Sequence, residues 1–304
     1  ESKNNNFFYV IILMTSLLQQ MQKAKMKGES MVNKAKKGKN KKAVEEAWSI
    51  TICESGENHT GMQIIGEKAD QGFTIEELQK ANRKFQEAGA ETMYYDLKQL
   101  GLHEDEERFN RAEDAGILVI KNAVQVLNGD KVEFRKSMKA IDCDKEYWDV
   151  RRGKKLNKRA RHNVCFAYMS QEPDIDNKKG RIVNINSQKQ LKNVIDNLLL
   201  YLGEKARGLI AELNHYYDVS KCGIGFHGDT ERRKVICVRL GASFPMNYYW
   251  YENSKRVGKR IEIPGLEEGD IYIMSDKAGG WDWKLRKNRR LTLRHAAGCS
   301  KYIK

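Results

Sequence analysis

Three side chains in the C-terminal part of the chain have the types and spacing that bind a metal ion: His227, Asp229 and His295. In His227-Gly228-Asp229, an imidazole and a carboxylate two residues apart on a strand project from one face and can chelate one ion. With a second histidine they form the 2-His-1-carboxylate facial triad of non-haem Fe(II) oxygenases, which leaves positions open for other ligands. Beyond Asp229 the sequence contains one further histidine, His295. The sequence therefore predicts an iron site made of these three ligands, or else an incomplete metal site.

The sequence contains a second histidine–aspartate pair of the same spacing, His103-Glu104-Asp105, so the motif alone is weak evidence for a metal site. Short motifs of this kind also arise by chance. This pair lies in an acidic stretch typical of a helix, where residues i and i+2 do not share a face. We therefore predict that His103 lies on the surface.

The elements that must position the triad follow from hydrophobic periodicity and turn residues. A capping box at Thr74–Glu77 and apolar residues at helical spacing predict a helix over 75–88. Further helices are expected over Asp105–Ala115 and Val194–Leu213. Short apolar runs predict strands at Ser49–Cys53, Ile117–Ile120, Ala123–Leu127, Lys234–Leu240, Met246–Tyr251, Arg260–Ile263, Asp270–Met274 and Leu291–Ala297. The fold class is therefore α+β, with an antiparallel sandwich or barrel at the C-terminus.

Four short motifs follow one another in the segment that holds the candidate triad. They are Asn214-His215-Tyr216, His227-Gly228-Asp229-Thr230-Glu231-Arg232, Gly269-Asp270-Ile271 and Leu291-Thr292-Leu293-Arg294. Their order resembles the core of the AlkB-like 2-oxoglutarate/Fe(II)-dependent dioxygenase family, which has N-x-Y, H-x-D-x-E, a G-D-I-type strand and an L-T-x-R segment. The resemblance covers about residues 210–300, roughly a third of the chain.

The resemblance implies a double-stranded β-helix, or jelly-roll barrel, with supporting helices. It also implies that His227, Asp229 and His295 bind Fe(II) and are the catalytic centre. The implied reaction uses O2 and the cosubstrate 2-oxoglutarate to hydroxylate a nearby C–H bond, and the metal supplies the reactivity.

The resemblance further implies which residues bind 2-oxoglutarate. Asn214 and Tyr216 would lie near the cosubstrate. In the family, an arginine on the last strand binds the far carboxylate of 2-oxoglutarate. Here Lys301 shares the strand face of His295 by alternation, and Arg294 is the alternative. A lysine would give a point-charge contact where arginine gives a fork.

Basic runs and aromatic residues favour a base in DNA or RNA as the substrate. Arg151–Arg161 holds seven positive charges, and residues 284–304 hold eight with no acid. Such charge binds phosphates with strong salt dependence, and aromatic rings stack on a flipped or single-stranded base. The candidate substrate contacts are Arg161, Tyr249, Glu231, Arg232, Trp281 and Trp283. The alternatives are a protein side chain, a small molecule, or a non-catalytic nucleic-acid-binding module with a degenerate metal site.

The length, charge and cysteine content of the chain indicate how it is organised and where it functions. The 304 residues carry a formal net charge of +14. They are predicted to divide into a basic, mobile leader (1–45), an accessory α/β segment (46–139) and the dioxygenase domain (140–304). The longest apolar run, Phe7–Met14, is too short to span a bilayer. Six cysteines without a C-x-x-C pair argue against a disulfide framework. We therefore expect an intracellular protein, nuclear or cytoplasmic, with a monomer favoured.

Overall fold

The part of the chain that the structure describes, Val44–Lys304, is built mainly from antiparallel strands. The structure is a computed structural model. Nearly all of the predicted basic leader, 1–45, lies outside the described residues.

The strands, numbered along the chain, pair within sheets. They are β1 (Ala47–Cys53), β2 (Ser55–Glu57), β3 (Ile64–Gly66), β4 (Thr92–Asp96), β5 (Gly116–Ile120), β6 (Glu146–Asp149), β7 (Lys154–Asn157), β8 (His162–Ala167), β9 (Ile182–Asn184), β10 (Ile210–Tyr216), β11 (Gly223–His227), β12 (Val235–Gly241), β13 (Met246–Glu252), β14 (Lys255–Ile263), β15 (Ile271–Met274) and β16 (Leu291–Gly298). The α-helices are α1 (Ile75–Glu87), α2 (Leu97–Leu102), α3 (Glu106–Arg111), α4 (Ala123–Val126), α5 (Lys131–Lys139), α6 (Lys189–Leu202), α7 (Asp276–Gly279) and α8 (Ser300–Ile303).

Two sheets organise the molecule. The large sheet has eight strands in the order β4-β5-β15-β12-β1-β10-β8-β9, and the small sheet has four in the order β11-β16-β13-β14. Neighbours are antiparallel except β8 and β9. The predicted α+β fold class is confirmed at this level.

The core forms two layers, one on each face of the large sheet. On one face, α1, α5 and α6 bury side chains such as Phe85, Phe134 and Leu198 against the strands. On the other face, the small sheet packs its inward residues, including Tyr248 and Trp250, against the large sheet. Both rings are fully buried. The small sheet therefore has one face in this core and one face turned outward.

Several predicted elements are confirmed. The capping box is present: Glu77 N–H donates to Thr74 Oγ1 at 3.2 Å, and Thr74 N–H donates to Glu77 Oε2 at 2.9 Å. Helix α1 begins directly after this cap. The strands predicted from short apolar runs at 49–53, 117–120, 234–240, 246–251, 270–274 and 291–297 correspond to β1, β5, β12, β13, β15 and β16.

The predicted strand Ala123–Leu127 is wrong, because Ala123–Val126 forms the short helix α4. Asn122 adopts a left-handed backbone with φ of 49°, and its N–H donates to Asp270 Oδ1 at 2.8 Å. This turn redirects the chain out of the sheet after β5. A run of five apolar residues could not distinguish the two outcomes.

The helix predicted over Val194–Leu213 is also too long. Helix α6 ends at Leu202, where Gly203 adopts a positive φ of 66° that favours glycine. The last residues of the predicted helix belong instead to β10. The acidic helix predicted over Asp105–Ala115 is reduced to α3, and the strand predicted at Arg260–Ile263 extends back to Lys255 as β14.

The segments predicted as accessory (46–139) and catalytic (140–304) share one sheet. Strand β1 lies between β10 and β12, and β5 pairs with β15. Residues from the accessory segment therefore occupy the centre of the large sheet, and Val44–Lys304 clusters as one unit.

Among the described residues, the helices include none with both the length and the apolar character needed to span a membrane.

Candidate metal centre

Two strands of the small sheet, and the turn that follows one of them, hold the candidate ligands. His227 is the last residue of β11, and His295 lies directly opposite it on β16. Asp229 lies beyond the strand end. Between them, Gly228 passes so close to the turn after α7 that an added Cβ would lie 2.0 Å from the Gly280 carbonyl oxygen. A tight, glycine-dependent turn therefore brings Asp229 beside the histidines.

The three predicted ligands converge. One ligand atom from each lies within 4.8 Å of the ligand atoms of the other two. The distance to Asp229 Oδ1 is 3.6 Å from His227 Nε2 and 4.0 Å from His295 Nε2. Donors about 2.1 Å from one ion lie about 3 Å apart when they meet at right angles. Binding therefore needs the two gaps to Asp229 to close by about 1 Å at most, and the gap between the histidines by no more than about 2 Å. Two imidazoles and one carboxylate fit a divalent transition metal such as Fe(II).

Hydrogen bonds orient the ring of His227. Its Nδ1 lies 2.8 Å from the carbonyl oxygen of Gly225 and 3.1 Å from that of His295. Carbonyl oxygens only accept, so Nδ1 carries the proton and donates. The unprotonated Nε2 is then the atom nearest Asp229, which is the arrangement that a metal-binding histidine requires.

Burial sets the protonation of the three groups. It lowers the pKa of His227 to about 4 and holds the pKa of His295 well below its ordinary value. Burial also raises the pKa of Asp229 to about 7, and the positive charge of Arg232 opposes this shift. Neutral imidazoles are the form that binds metals, and a cation beside Asp229 would favour its carboxylate. The electrostatics of the cluster therefore suit a bound cation.

The candidate ligands lie in the wall of a cavity of about 580 Å³. This volume is in the range of small-molecule sites. Strands β1, β10, β12 and β15 supply polar groups to the same cavity, including Ser49, Glu212, Asn214, Tyr216, Arg239 and Tyr272. The cavity is thus formed by both sheets, with the histidines on the small one.

Asn214, Tyr216 and Arg161, all predicted from the sequence, line this cavity. Arg161 Nε donates to Asn214 Oδ1 at 2.5 Å, and Asn214 Nδ2 donates to Glu212 Oε1 at 3.3 Å. Tyr216 is almost fully buried. The structure therefore brings two of the predicted cosubstrate residues, Asn214 and Tyr216, to the cavity of the candidate metal ligands, together with the predicted substrate residue Arg161.

Glu231 and Arg232, predicted as substrate contacts, belong to a buried charge network. Arg232 donates to Glu212 Oε2 at 2.5 Å and to Glu231 Oε1 at 2.6 Å. Its Nε lies 4.0 Å from Asp229 Oδ2. The Arg232 side chain is only 5% exposed. Arg232 therefore supports the Asp229 side of the candidate centre from behind, and its donors are engaged within the protein.

Sequence reasoning missed Arg239. This side chain from β12 is 3% exposed and lines the cavity. It donates to Ser49 Oγ and to the Phe244 carbonyl, both at 2.5 Å. No carboxylate of the described residues lies within ion-pair distance of its guanidinium. An arginine inside the apolar run Val235–Leu240 was the available signal, because a buried charge in a strand needs a partner.

The two residues predicted to bind the far carboxylate of 2-oxoglutarate lie away from the cavity. The strand alternation assumed for Lys301 is wrong, because β16 ends at Gly298 and Lys301 lies exposed on α8. Arg294 is on β16, but on the face opposite His295, where its guanidinium stacks 3.9 Å from the Tyr251 ring. Neither residue lines the cavity that holds the candidate ligands.

The three aromatic residues predicted to contact substrate lie in different places, and one of them lines the cavity. Trp283 lines the cavity. Trp281 lies outside it, with the Arg233 guanidinium 4.0 Å from its ring. Tyr249 is on the outward face of the small sheet, where its ring meets Phe226 edge to face at 5.4 Å. The strand alternation expected for Met246–Tyr251 thus sends Tyr249 away from the cavity.

The predicted surface position of His103, in the second histidine–aspartate pair, is confirmed. His103 is exposed at the end of α2, and its ring lies 3.5 Å from the exposed Glu104. Asp105 instead caps α3 and accepts from Arg108 N–H at 3.1 Å. The histidine–aspartate spacing alone therefore does not form a metal site. The candidate site also needs the pairing of β11 with β16 and the tight turn at Gly228.

Comparison with known proteins identifies a viral relative of this chain. No protein-family model matches the chain, and no solved structure matches it. An uncharacterized protein of Acanthamoeba polyphaga mimivirus is 38% identical over 265 residues, which is 86% of this chain and 99% of that protein. The chain therefore belongs to the same family as this mimivirus protein.

Proposed function

We propose that the protein is a 2-oxoglutarate/Fe(II)-dependent dioxygenase that hydroxylates or oxidatively demethylates a base in nucleic acid. The observation that carries the proposal is the convergence of His227, Asp229 and His295 within 4.8 Å in a cavity wall. This donor set leaves positions for a chelating cosubstrate and O2. When bound, Fe(II) would supply oxidation of the substrate by O2, coupled to oxidative decarboxylation of 2-oxoglutarate.

A double-stranded β-helix is the finer fold that we propose for the strands around the cavity. From β10 to β16 the chain crosses repeatedly between the sheets: β10, β12 and β15 join the large one, and β11, β13, β14 and β16 join the small one. Such crossing between two facing sheets is typical of jelly rolls. In a jelly roll the last strand lies between the first and third. Here β1 fills that place, between β10 and β12.

Arg239 is the residue that we assign to the far carboxylate of 2-oxoglutarate, in place of Lys301 or Arg294. It is buried, it lines the cavity, and it has no carboxylate partner among the described residues. A guanidinium can bind a carboxylate through two parallel hydrogen bonds. Ser49, which accepts from Arg239 at 2.5 Å, holds the guanidinium in position.

The other polar residues have supporting roles in this reaction. Arg232 keeps a positive charge 4.0 Å from Asp229 and so favours the carboxylate form that binds the ion. The Nδ1–H of His227 is held by two carbonyl oxygens, which directs Nε2 towards the ion. Asn214, held by Arg161 at 2.5 Å, presents its amide to the cavity.

A nucleic-acid substrate is supported by charge around the cavity. Arg161 and Lys284 line it, and each belongs to one of the two basic runs, 151–161 and 284–304. Exposed arginines and lysines at a cavity mouth bind phosphates and bring a polyanion to the site.

An anaerobic titration with Fe(II) and 2-oxoglutarate tests the metal centre. The chelated cosubstrate gives a weak visible charge-transfer band, which we expect in the parent and not in His295→Ala. His103→Ala is the matched control, since it removes a histidine of the same motif from the surface. A parent without the band, or a band that survives in His295→Ala, would contradict the proposed ligand set.

Succinate production then separates the substrate classes. We expect O2-dependent succinate formation to rise above the uncoupled rate when an oligonucleotide is added. This stimulation by the oligonucleotide should weaken as the salt concentration increases. Stimulation by a basic or hydroxylatable peptide instead would identify a protein side-chain hydroxylase. A band without any substrate-stimulated turnover would remove the nucleic-acid assignment.

A further inference from the structure

The outward face of the small sheet carries aromatic rings and guanidinium groups side by side. Tyr248 and Trp250 of β13 point into the core, so the alternate residues Tyr249 and Tyr251 point outward. We call the following set the aromatic–arginine face: Phe226, Tyr249, Tyr251, Arg256, Trp283 and Arg294. Trp283 also lines the cavity that holds the candidate metal ligands, and the other members of the set do not line it.

Stacking contacts run continuously across this face. The Arg256 guanidinium lies 4.9 Å from the Phe226 ring and 4.9 Å from the Tyr249 ring. The Arg294 guanidinium lies 3.9 Å from Tyr251 and 4.9 Å from Trp283. Each cation thus bridges two rings, in the geometry of cation–π contacts. Rings and charges are held in place before any ligand arrives.

Arg294 is buried with its charge unmatched. It is 9% exposed, and no carboxylate of the described residues lies within ion-pair distance. Its Nε and Nη2 are buried and have no hydrogen-bond acceptor within that part of the chain, and the same holds for Trp283 Nε1. Unpaired buried donors are costly, so they favour an anion that can accept from them.

The accessible rings and the flanking charges define what kind of anion fits. Phe226, Tyr249 and Trp283 are each partly exposed. The loop after Trp283 adds Lys284 and Arg286, both exposed and, among the described residues, without carboxylate partners. Small anions need no rings, and acidic proteins need no stacking platform. Bases alternating with phosphates use both, as in single-strand binding proteins.

We propose that the aromatic–arginine face binds single-stranded nucleic acid, with bases stacked on Phe226 and Tyr249 and a phosphate accepting from Arg294. Trp283 joins this face to the cavity. Its ring lies 2.8 Å from the position that a Cβ on Gly228 would take, and Gly228 stands in the sequence between the candidate ligands His227 and Asp229. A strand lying across the face therefore continues towards the cavity mouth. Duplex DNA keeps its bases stacked inside the helix and gains less from such rings.

The test compares two fluorescent oligomers of equal length, oligothymidylate and its abasic backbone, bound to the full chain in EDTA at about 150 mM salt. Both carry the same phosphates, so the ratio of their Kd values isolates base stacking from contacts made by basic segments elsewhere. We expect the parent to prefer oligothymidylate by about tenfold. Because Phe226 still stacks, Tyr249→Ser should reduce this ratio to about threefold, while Arg294→Gln should weaken both oligomers by about tenfold.

Two further variants keep the test decisive. Tyr168→Ser removes an exposed ring outside the face and should leave the ratio unchanged. Arg256→Gln, at an exposed position, gives a second measure should Arg294→Gln unfold the protein. A parent ratio near one, equal binding by Tyr249→Ser and the parent, or equal competition by heparin and oligothymidylate would overturn the proposal. EDTA removes the metal, so this result is independent of the iron titration.

Discussion

Breaking the buried ion pair between Glu212 and Arg232 should destabilise the fold strongly. The two side chains are each 5% exposed, and their closest atoms are 2.5 Å apart. Removing one partner of a buried pair costs about 3–5 kcal/mol, because the other charge stays buried. Arg232 keeps Glu231 at 2.6 Å, so we expect Glu212→Gln to cost about 3 kcal/mol, the lower end of that range. For a chain of 304 residues, that loss corresponds to a Tm lower by about 5 °C.

Thermal and urea unfolding measure this loss, and the chain offers a matched control. Glu204 pairs with Arg207 at 2.6 Å, but these side chains are 79% and 64% exposed. Glu204→Gln should therefore change stability by no more than about 0.5 kcal/mol. The same pair of residue types, differing in burial, isolates desolvation as the cause.

A double-mutant cycle completes the argument. Arg232→Met alone leaves Glu212 buried without its cation, whereas Arg232→Met combined with Glu212→Gln removes both charges. We expect the double variant to be less destabilised than the sum of the single variants. A loss below about 1 kcal/mol for Glu212→Gln, or strictly additive effects, would refute the view that the pair is desolvated and coupled.

Three other changes probe the site and the fold. Gly228→Ala should abolish the Fe(II)/2-oxoglutarate band, because its Cβ would lie 2.0 Å from the Gly280 carbonyl oxygen; a normal band with parent affinity would contradict the tight-turn argument. Arg239→Gln should raise the Kd for 2-oxoglutarate by about tenfold or more, with Arg239→Lys intermediate, as measured by titration of the band; equal Kd values would exclude Arg239 as the carboxylate contact. Hydrogen bonds from Arg111 and other arginines lower the pKa of Glu252 to about 2, so its stabilising effect is complete above its ordinary pKa and is lost as pH falls towards 2. Glu252→Gln should therefore lower the urea midpoint at pH 7, with a difference from the parent that shrinks below about pH 4.5; a constant difference would contradict the assignment.

The candidate ligands could be predicted because their signal is local. The spacing of His227 and Asp229, and the position of His295 in a strand-like run, are properties of short segments. The structure places these residues together through the register of β11 and β16. What the spacing could not reveal was the role of Gly228, whose close approach to Gly280 depends on how α7 packs.

The residues that meet the cavity from other strands could not be predicted with the same success. Arg239 faces the cavity only because β12 lies beside β1 in the large sheet, a pairing between distant segments. Lys301 was placed by extending strand alternation past Gly298, where the chain in fact turns into α8. Periodicity gives the face of a residue within its element, and tertiary pairing decides what that face meets.

The helix errors have the same origin. Ala123–Val126 is apolar enough for either a strand or a buried helix, and the contact from Asp270 to Asn122 N–H decides between them. In contrast, the helix over Ile75–Glu87 was predicted well, because its capping box and its apolar spacing are both encoded within a few residues.

The place of β1 in the large sheet has a consequence for how the protein is made. Ala47 pairs with Tyr216 on one side and Gly241 on the other, partners that leave the ribosome roughly 170–190 residues later. At about 5–20 residues per second, β1 waits on the order of 10–40 s before both neighbours exist. During this time a strand carrying Trp48, Ile50 and Ile52 has no sheet to join, which makes it a natural contact for a chaperone. The central sheet therefore closes late, and folding is expected to be slow and largely post-translational.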